Sequence, residues 1–443
     1  MARLAAVMPD SRIAAAAAAG APAAIDADTL IRSILFVAVF LSAWISFHPF
    51  QSLAAAPNAV AEGGDLANQL GYSTIFLALA SWVYRNEPRR LMLLLRPTLV
   101  ALLIWCAVTV VASWEPSLAA RRLAFTLVIM SIAAMALLLP KNLRHFSDLL
   151  ALSALIVLAA CYAGVVLVPQ LAIHQATDFL EPEHAGSWRG VFPHKNDAGG
   201  FMVLLIFAGL FVARMRSLVL GGAIALLAAI FLGFTQSKTA IGVMPLSFIV
   251  AAVVARSRGL VWPVALVIAI LAVFNLCSVG TVAFEPVRAF VESFMPDATF
   301  TGRTDLWQLG LQAVGERPIT GYGFGAFWGT EQVVYGLGDA ISWANAASDA
   351  HNAYLNLALT IGIPGLALAF VWAVVLPIAD YHRPAQDDRG TAALRMLFLR
   401  VCLYGVYASC FESPIFQQVG AVWFFFVIAA FGLRYLSVMR VSA

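Results

Sequence analysis

A histidine stands at the head of an apolar run, His351 within Asp349-Ala-His-Asn352, and imidazole is the side chain best suited to move a proton near neutral pH. Cations stand before two other apolar runs: Arg189 and Lys195 in Arg189-Gly-Val-Phe-Pro-His-Lys-Asn196, and Lys238 in Gln236-Ser-Lys238. A helix N-terminus carries roughly +0.5 of a charge and unpaired N–H groups. If these runs are helices whose starts converge, with Arg303 closing the ring from a connecting segment, they would match a dianionic diphosphate beside low dielectric. The dipole at its helix start is expected to lower the pKa of His351, keeping it in the neutral form that accepts a proton from an acceptor hydroxyl. His194, Lys195, Asn196, Tyr322, Asp349 and Asn352 are the polar neighbours expected to bind substrate. A plainer reading exists for each: basic residues at helix ends snorkel to headgroups, and a lone histidine is more often structural. Arg121 and Arg122 take the plainer reading, whereas Arg189, Lys238 and Arg303 favour the functional one because they oppose the charge bias described next.

The elements that must position these residues are membrane helices. With 62% hydrophobic and 12% charged residues and a mean hydropathy of +0.87, the 443-residue chain lies far from soluble domains, which are about 25% charged. Twelve apolar runs approach or exceed the ~17 to 25 residues needed to cross a ~30 Å hydrocarbon core. They lie near 31–52, 68–84, 97–114, 123–140, 149–168, 198–213, 218–234, 239–255, 260–281, 353–377, 393–410 and 419–436. The fold class expected is an all-α integral membrane protein. Placing both termini in the cytoplasm puts 19 of the 27 basic residues inside, as the positive-inside rule prefers. Residues 1–29 then read as an Ala-rich cytoplasmic tail and 438–443 as the cytoplasmic C-terminus, while 30–281 carry nine helices and 351–437 three more. Both long connections, 169–196 and 282–350, fall on the outer side. The second has helical pattern: Thr301 can cap a helix in which Leu306, Leu309, Ala313 and Val314 share a face, with Pro318 beyond its end.

Several chemistries are disfavoured. Gly321-Tyr-Gly-Phe-Gly325 has no preceding strand and reads as tight turns rather than a phosphate loop. The only Asp-x-Asp, Asp26-Ala-Asp28, is on the cytoplasmic side, and Asp305, Glu316 and Glu412 read as caps or solvated carboxylates, so no metal and no cofactor are expected. The five cysteines fall within apolar runs and imply no disulfide framework, and no basic tract suggests nucleic acid.

The stretch His351-Asn352, nine residues, then Gly362-Ile-Pro-Gly365 resembles the O-antigen ligase superfamily, as do Thr301-Gly-Arg-Thr-Asp-Leu-Trp307, Pro318-Ile-Thr-Gly-Tyr-Gly323 and the phrase from Arg189 to Asn196. That superfamily includes lipopolysaccharide O-antigen ligases, Wzy-type polysaccharide polymerases and protein O-oligosaccharyltransferases. The resemblance implies a GT-C-like fold in the bacterial inner membrane and a metal-independent inverting glycosyltransferase with a periplasmic site. It implies an undecaprenyl-diphosphate-linked oligosaccharide as donor, a glycan or lipid acceptor, and polysaccharide export or chain-length proteins as candidate partners. Arg189 corresponds to the arginine after span five and His351 to the motif histidine near the donor diphosphate. Ser237-Lys238 departs from the Ser-Arg often found there, keeping the charge without the guanidinium fork. Phe-Pro-His-Lys-Asn and Ser237-Lys-Thr look more like the exopolysaccharide polymerase branch than the ligases. The rival classes are a lipid-linked oligosaccharide flippase or transporter, which would place ionisable residues near the midplane of repeated halves, and a scaffold of an export assembly.

Overall fold

The structure, a computed structural model, describes residues 26–55, 65–294, 303–336, 347–417 and 419–441. The expected cap at Thr301 and most of the N-terminal tail lie outside the described residues. Among those described, the chain is helical, with a single isolated β-bridge between Ile173 and Trp188.

Each apolar run becomes a helix: α1 (Ala27–Ile45), α2 (Leu66–Asn86), α3 (Pro97–Val111), α4 (Pro116–Ala136), α5 (Leu143–Leu167), α6 (Lys195–Met215), α7 (Leu218–Thr235), α8 (Lys238–Arg256) and α9 (Val261–Cys277). Two amphipathic helices follow, α10 (Glu285–Phe294) and α11 (Arg303–Glu316). The chain ends with α12 (Ala353–Phe370), whose axis continues to Tyr381, then α13 (Arg389–Ala408) and α14 (Ala421–Val438). Nine of the described helices are long and apolar enough to span a membrane, and α3 and α9 are shorter apolar helices. The protein is an all-α, multi-pass membrane protein.

Local signals set the helix starts. Pro97 and Pro116 occupy first turns, where a missing N–H costs nothing. Asn142, Ser217, Ser237, Asn352 and Asp388 cap α5, α7, α8, α12 and α13 through side-chain oxygens. The first span is shorter than its apolar run suggested: α1 stops at Ile45, and Ser46 turns the chain away at φ +68°.

Helix α6 forms the centre of the bundle, packed by α5, α7, α8, α13 and α14. Its seam with α7 depends on small residues, since a Cβ on Gly221 would lie 2.2 Å from Ala213 N and one on Gly209 would lie 2.7 Å from Gly221 O. The outward apolar side chains of α7, such as Val219 and Leu226, are exposed, as a face toward hydrocarbon requires.

Helix α12 is broken at Gly362, which adopts φ 68°, ψ 177° ahead of Pro364. Pro364 has no N–H for Thr360 O, so the break leaves carbonyls that a membrane helix must satisfy elsewhere. The segment after α11 does so. Tyr322 N donates to Leu359 O (2.8 Å), Gly323 N to Thr360 O (3.1 Å), and Trp105 Nε1 of α3 to Ile361 O (2.8 Å), while Ile363 N donates back to Pro318 O (2.8 Å). Gly321, Gly323 and Gly325 have φ of +63°, +108° and +65°, so the glycine-rich stretch is a set of tight turns. Leu306, Trp307, Tyr322, Phe327 and Trp328 bury one another into a separate small core that fixes α11 against α12.

Candidate active site

The starts of α6, α8 and α12 meet at one end of the bundle with the turn that follows α13, and Glu412 in that turn joins them. One carboxylate oxygen accepts from Asn196 Nδ2 (3.0 Å) and Arg303 Nη2 (3.2 Å), and the other faces His351 Nδ1 at 3.3 Å. Arg303 also donates to Phe411 O, and Asn196 Oδ1 accepts from Ser237 Oγ at 3.0 Å. Five segments far apart in sequence therefore hold one polar cluster. The sequence reading gave Glu412 a capping or solvated role; in the structure it is the centre of the cluster. Burial alone raises the Glu412 pKa, but the charge of Arg303 and the hydrogen bond and charge of His351 overcome this and lower it to about 2.

His351 sits in the left-handed region at φ +46°, a conformation uncommon outside glycine. Its N–H donates to Asp349 Oδ1 (2.7 Å), and two residues on, past the Asn352 cap, Ala353 N donates to Ser409 O (2.8 Å). These bonds aim the ring at Glu412. Burial lowers the His351 pKa, but the Asp349 charge and the hydrogen bond and charge of Glu412 outweigh it, and the net shift is upward. The expected lowering of the His351 pKa is therefore corrected: two carboxylates prevail over burial and the Arg303 charge.

Several N–H groups at the helix starts are spent on protein. Lys195 N donates to His174 Nε2 (3.2 Å) and Asn196 N to His194 Nδ1 (3.1 Å), while Ser237 and Asn352 cap Ala240 N and Leu355 N. Lys195 is half-buried and Lys238 exposed; neither side-chain amine forms a hydrogen bond or ion pair among the described residues, and their charges interact.

Three expected site residues are placed otherwise. Arg189 is 1% exposed and apart from the Glu412 cluster: its Nη1 donates to Phe192 O (3.2 Å) and Pro193 O (3.4 Å), and its Nη2 to Gln51 O (2.6 Å). It braces the loop leading into α6. Tyr322 is buried in the small core, its hydroxyl donating to Glu316 Oε2 at 2.9 Å. Asn352, fully buried, donates to Asn275 Oδ1 (2.9 Å) and Cys410 O (3.0 Å), clasping α12 to α9 and α13. His194 caps α6 and its Nε2 lies 2.7 Å from Glu181, and Asp349 holds the backbone of His351. No metal was expected, yet Glu181, His184 and His194 bring donor atoms within 4.8 Å of one another.

A family model described as O-antigen ligase matches residues 201–370, which contain Lys238, Arg303, His351 and the Gly362 break. The exopolysaccharide production protein ExoQ of Rhizobium meliloti (strain 1021) is 28% identical over 269 residues, covering 56% of this chain and 58% of that protein. The match thus spans less than two thirds of this relative's length. Through its central region the chain is thus similar to the O-antigen ligase family, and over a longer stretch to a protein of exopolysaccharide production.

Proposed function

We propose that this protein transfers a glycan from a polyprenyl-diphosphate donor to an acceptor hydroxyl at the Glu412 end of the bundle, polymerising exopolysaccharide or O-antigen repeat units. The observation that carries the reading is the meeting of His351 and Arg303 on Glu412, beside two unpaired amines. With its Nδ1–H held by Glu412, His351 has Nε2 left to take the acceptor proton. The acceptor oxygen bonds to the anomeric carbon as the carbon–oxygen bond to the diphosphate breaks, with inversion. Lys195 and Lys238 neutralise the departing lipid diphosphate, and preorganised charge of this kind is the largest contribution to such a step. Arg189 acts as a positioning residue for the start of α6. The excess of Lys and Arg at the opposite end supports a location in the bacterial inner membrane, with cytoplasmic termini and an outward-facing site.

The family description favours a second reading, ligation of finished glycan to lipid A-core, and both share the donor half of the reaction. The test is the undecaprenyl-linked species that accumulate in a strain lacking the protein. Single repeat units support polymerisation, and polymerised glycan on the carrier supports ligation. Units stranded on the cytoplasmic leaflet would overturn both in favour of a flippase. Complementation by His351→Ala at wild-type membrane levels with near-normal product would remove His351 from the mechanism.

A further inference from the structure

Residues 173–194 form a closed hairpin against the start of α6. Ile173 bridges Trp188, and His174 N donates to Ser187 O while Gly186 N donates to His174 O, both at 2.9 Å. This frame turns three side chains toward a common point. Glu181 Oε2 lies 2.7 Å from His194 Nε2 and 3.7 Å from His184 Nε2, and all three donor atoms fall within 4.8 Å. Ligands bound at 2.0–2.2 Å around a tetrahedral zinc stand roughly 3.3 Å apart, so the present spacing needs only small side-chain movement to receive one. All three side chains are partly exposed, leaving a path for a cation from solvent.

His174 completes the surround without being a donor. Its ring lies 5.2 Å from that of His194 and 5.8 Å from that of His184, but its Nδ1 is bonded to Asp178 (2.8 Å) and its Nε2 accepts from Lys195 N (3.2 Å).

We propose that Glu181, His184 and His194 form a two-histidine, one-carboxylate site for a divalent transition metal, zinc by its donor set, which clamps the 173–194 hairpin to the start of α6. In the metal-free chain His194 Nδ1 accepts from Asn196 N, so the ring proton sits on Nε2 and faces Glu181. On loading, that proton moves to Nδ1, Nε2 binds the metal, and Asn196 N gives up its imidazole acceptor; the ring stays neutral. The fourth position is open to water. The inference goes beyond the proposed glycan transfer and is read without any glycan substrate.

The full-length protein in lipid nanodiscs is stripped with chelator and titrated with zinc sulfate. Bound zinc is measured by elemental analysis after desalting, and the 173–194 segment is followed by hydrogen exchange. Retention of about one zinc per chain is expected, with slower exchange across 173–194. Glu181→Gln and His184→Ala should each weaken zinc by at least about 10- to 100-fold, the loss typical even for outer partners of metal ligands. Gly222→Ala, where a Cβ meets nothing within 4 Å, should not change zinc affinity. Zinc-free thermal unfolding of each variant, matching wild type, shows that the losses are not failures of folding; a variant that unfolds early is replaced by His184→Gln. No retained zinc, equal retention by the double variant Glu181→Gln/His184→Ala, or unchanged exchange across the hairpin on loading would overturn the proposal.

Discussion

Replacing Gly362 by alanine tests how the outer segment is held to the broken span. The backbone there, φ 68° and ψ 177°, lies in a region open essentially to glycine alone, which costs about 1–3 kcal/mol for any other residue. An alanine Cβ would also stand 1.9 Å from Ile319 O and 2.4 Å from Ile319 C, which are backbone atoms and cannot rotate aside. Relief requires withdrawing residues 318–323. That breaks the bonds joining Ile363 N to Pro318 O, Tyr322 N to Leu359 O and Gly323 N to Thr360 O, each contributing about 0.5–1.5 kcal/mol. The substitution should therefore weaken docking by about 3 kcal/mol or more, which is roughly 100-fold in the undocked population. Hydrogen exchange at Tyr322 and Gly323 in nanodiscs reads this directly, with limited proteolysis of the segment as a second measure. Gly222→Ala is the control, since a Cβ there meets nothing within 4 Å. Exchange at Tyr322 and Gly323 as slow in Gly362→Ala as in wild type would refute the reasoning.

Glu412→Gln removes one of the two carboxylates, Asp349 being the other, that raise the His351 pKa. Transfer should rise as pH climbs through the raised His351 pKa in wild type, and this acidic limb should move to lower pH in the variant; an unmoved limb in a pH–rate profile would count against the pairing. The stability the pair adds through His351 is fully present below the ordinary pKa of 6.5 and fades as pH rises through the folded value, which chemical denaturation at several pH values would follow. Lys195→Met combined with Lys238→Met should lower transfer by about 10²–10³ or more with unchanged membrane levels, measured with purified lipid-linked donor. Arg189→Lys cannot reach three carbonyls with a fork, so the expected effect is faster exchange across 189–194 rather than altered salt dependence of donor binding. Trp105→Phe leaves Ile361 O without its donor and should cost about 1–3 kcal/mol, read as a lower unfolding midpoint.

The helices were legible because the length of an apolar run is a local property, and each of the twelve runs corresponds to a helix. The turns at Gly321, Gly323 and Gly325 were legible from composition, and α11 from its spacing, with Leu306 and Ala313 buried as its pattern required. The partners of Glu412 were not. They lie 61, 109 and 216 residues away, and a carboxylate after a span carries no local mark of such company. Arg189 shows the converse: its opposition to the charge bias was visible, but not the carbonyls of residues 51, 192 and 193 that account for its burial. The direction of the His351 shift was missed for the same reason, because Glu412 enters only through the fold.

The groups that complete the interrupted helix, three donors and the Pro318 carbonyl, all come from chain made before it. Trp105, Tyr322 and Gly323 precede Leu359, Thr360 and Ile361, and Pro318 precede Ile363. During synthesis from the N-terminus, the interrupted stretch thus emerges after every group that will satisfy its carbonyls. A circular permutant that moves residues 318–323 behind α14 would ask the bilayer to take up these bare carbonyls first, and its insertion should suffer even though the finished contacts are the same.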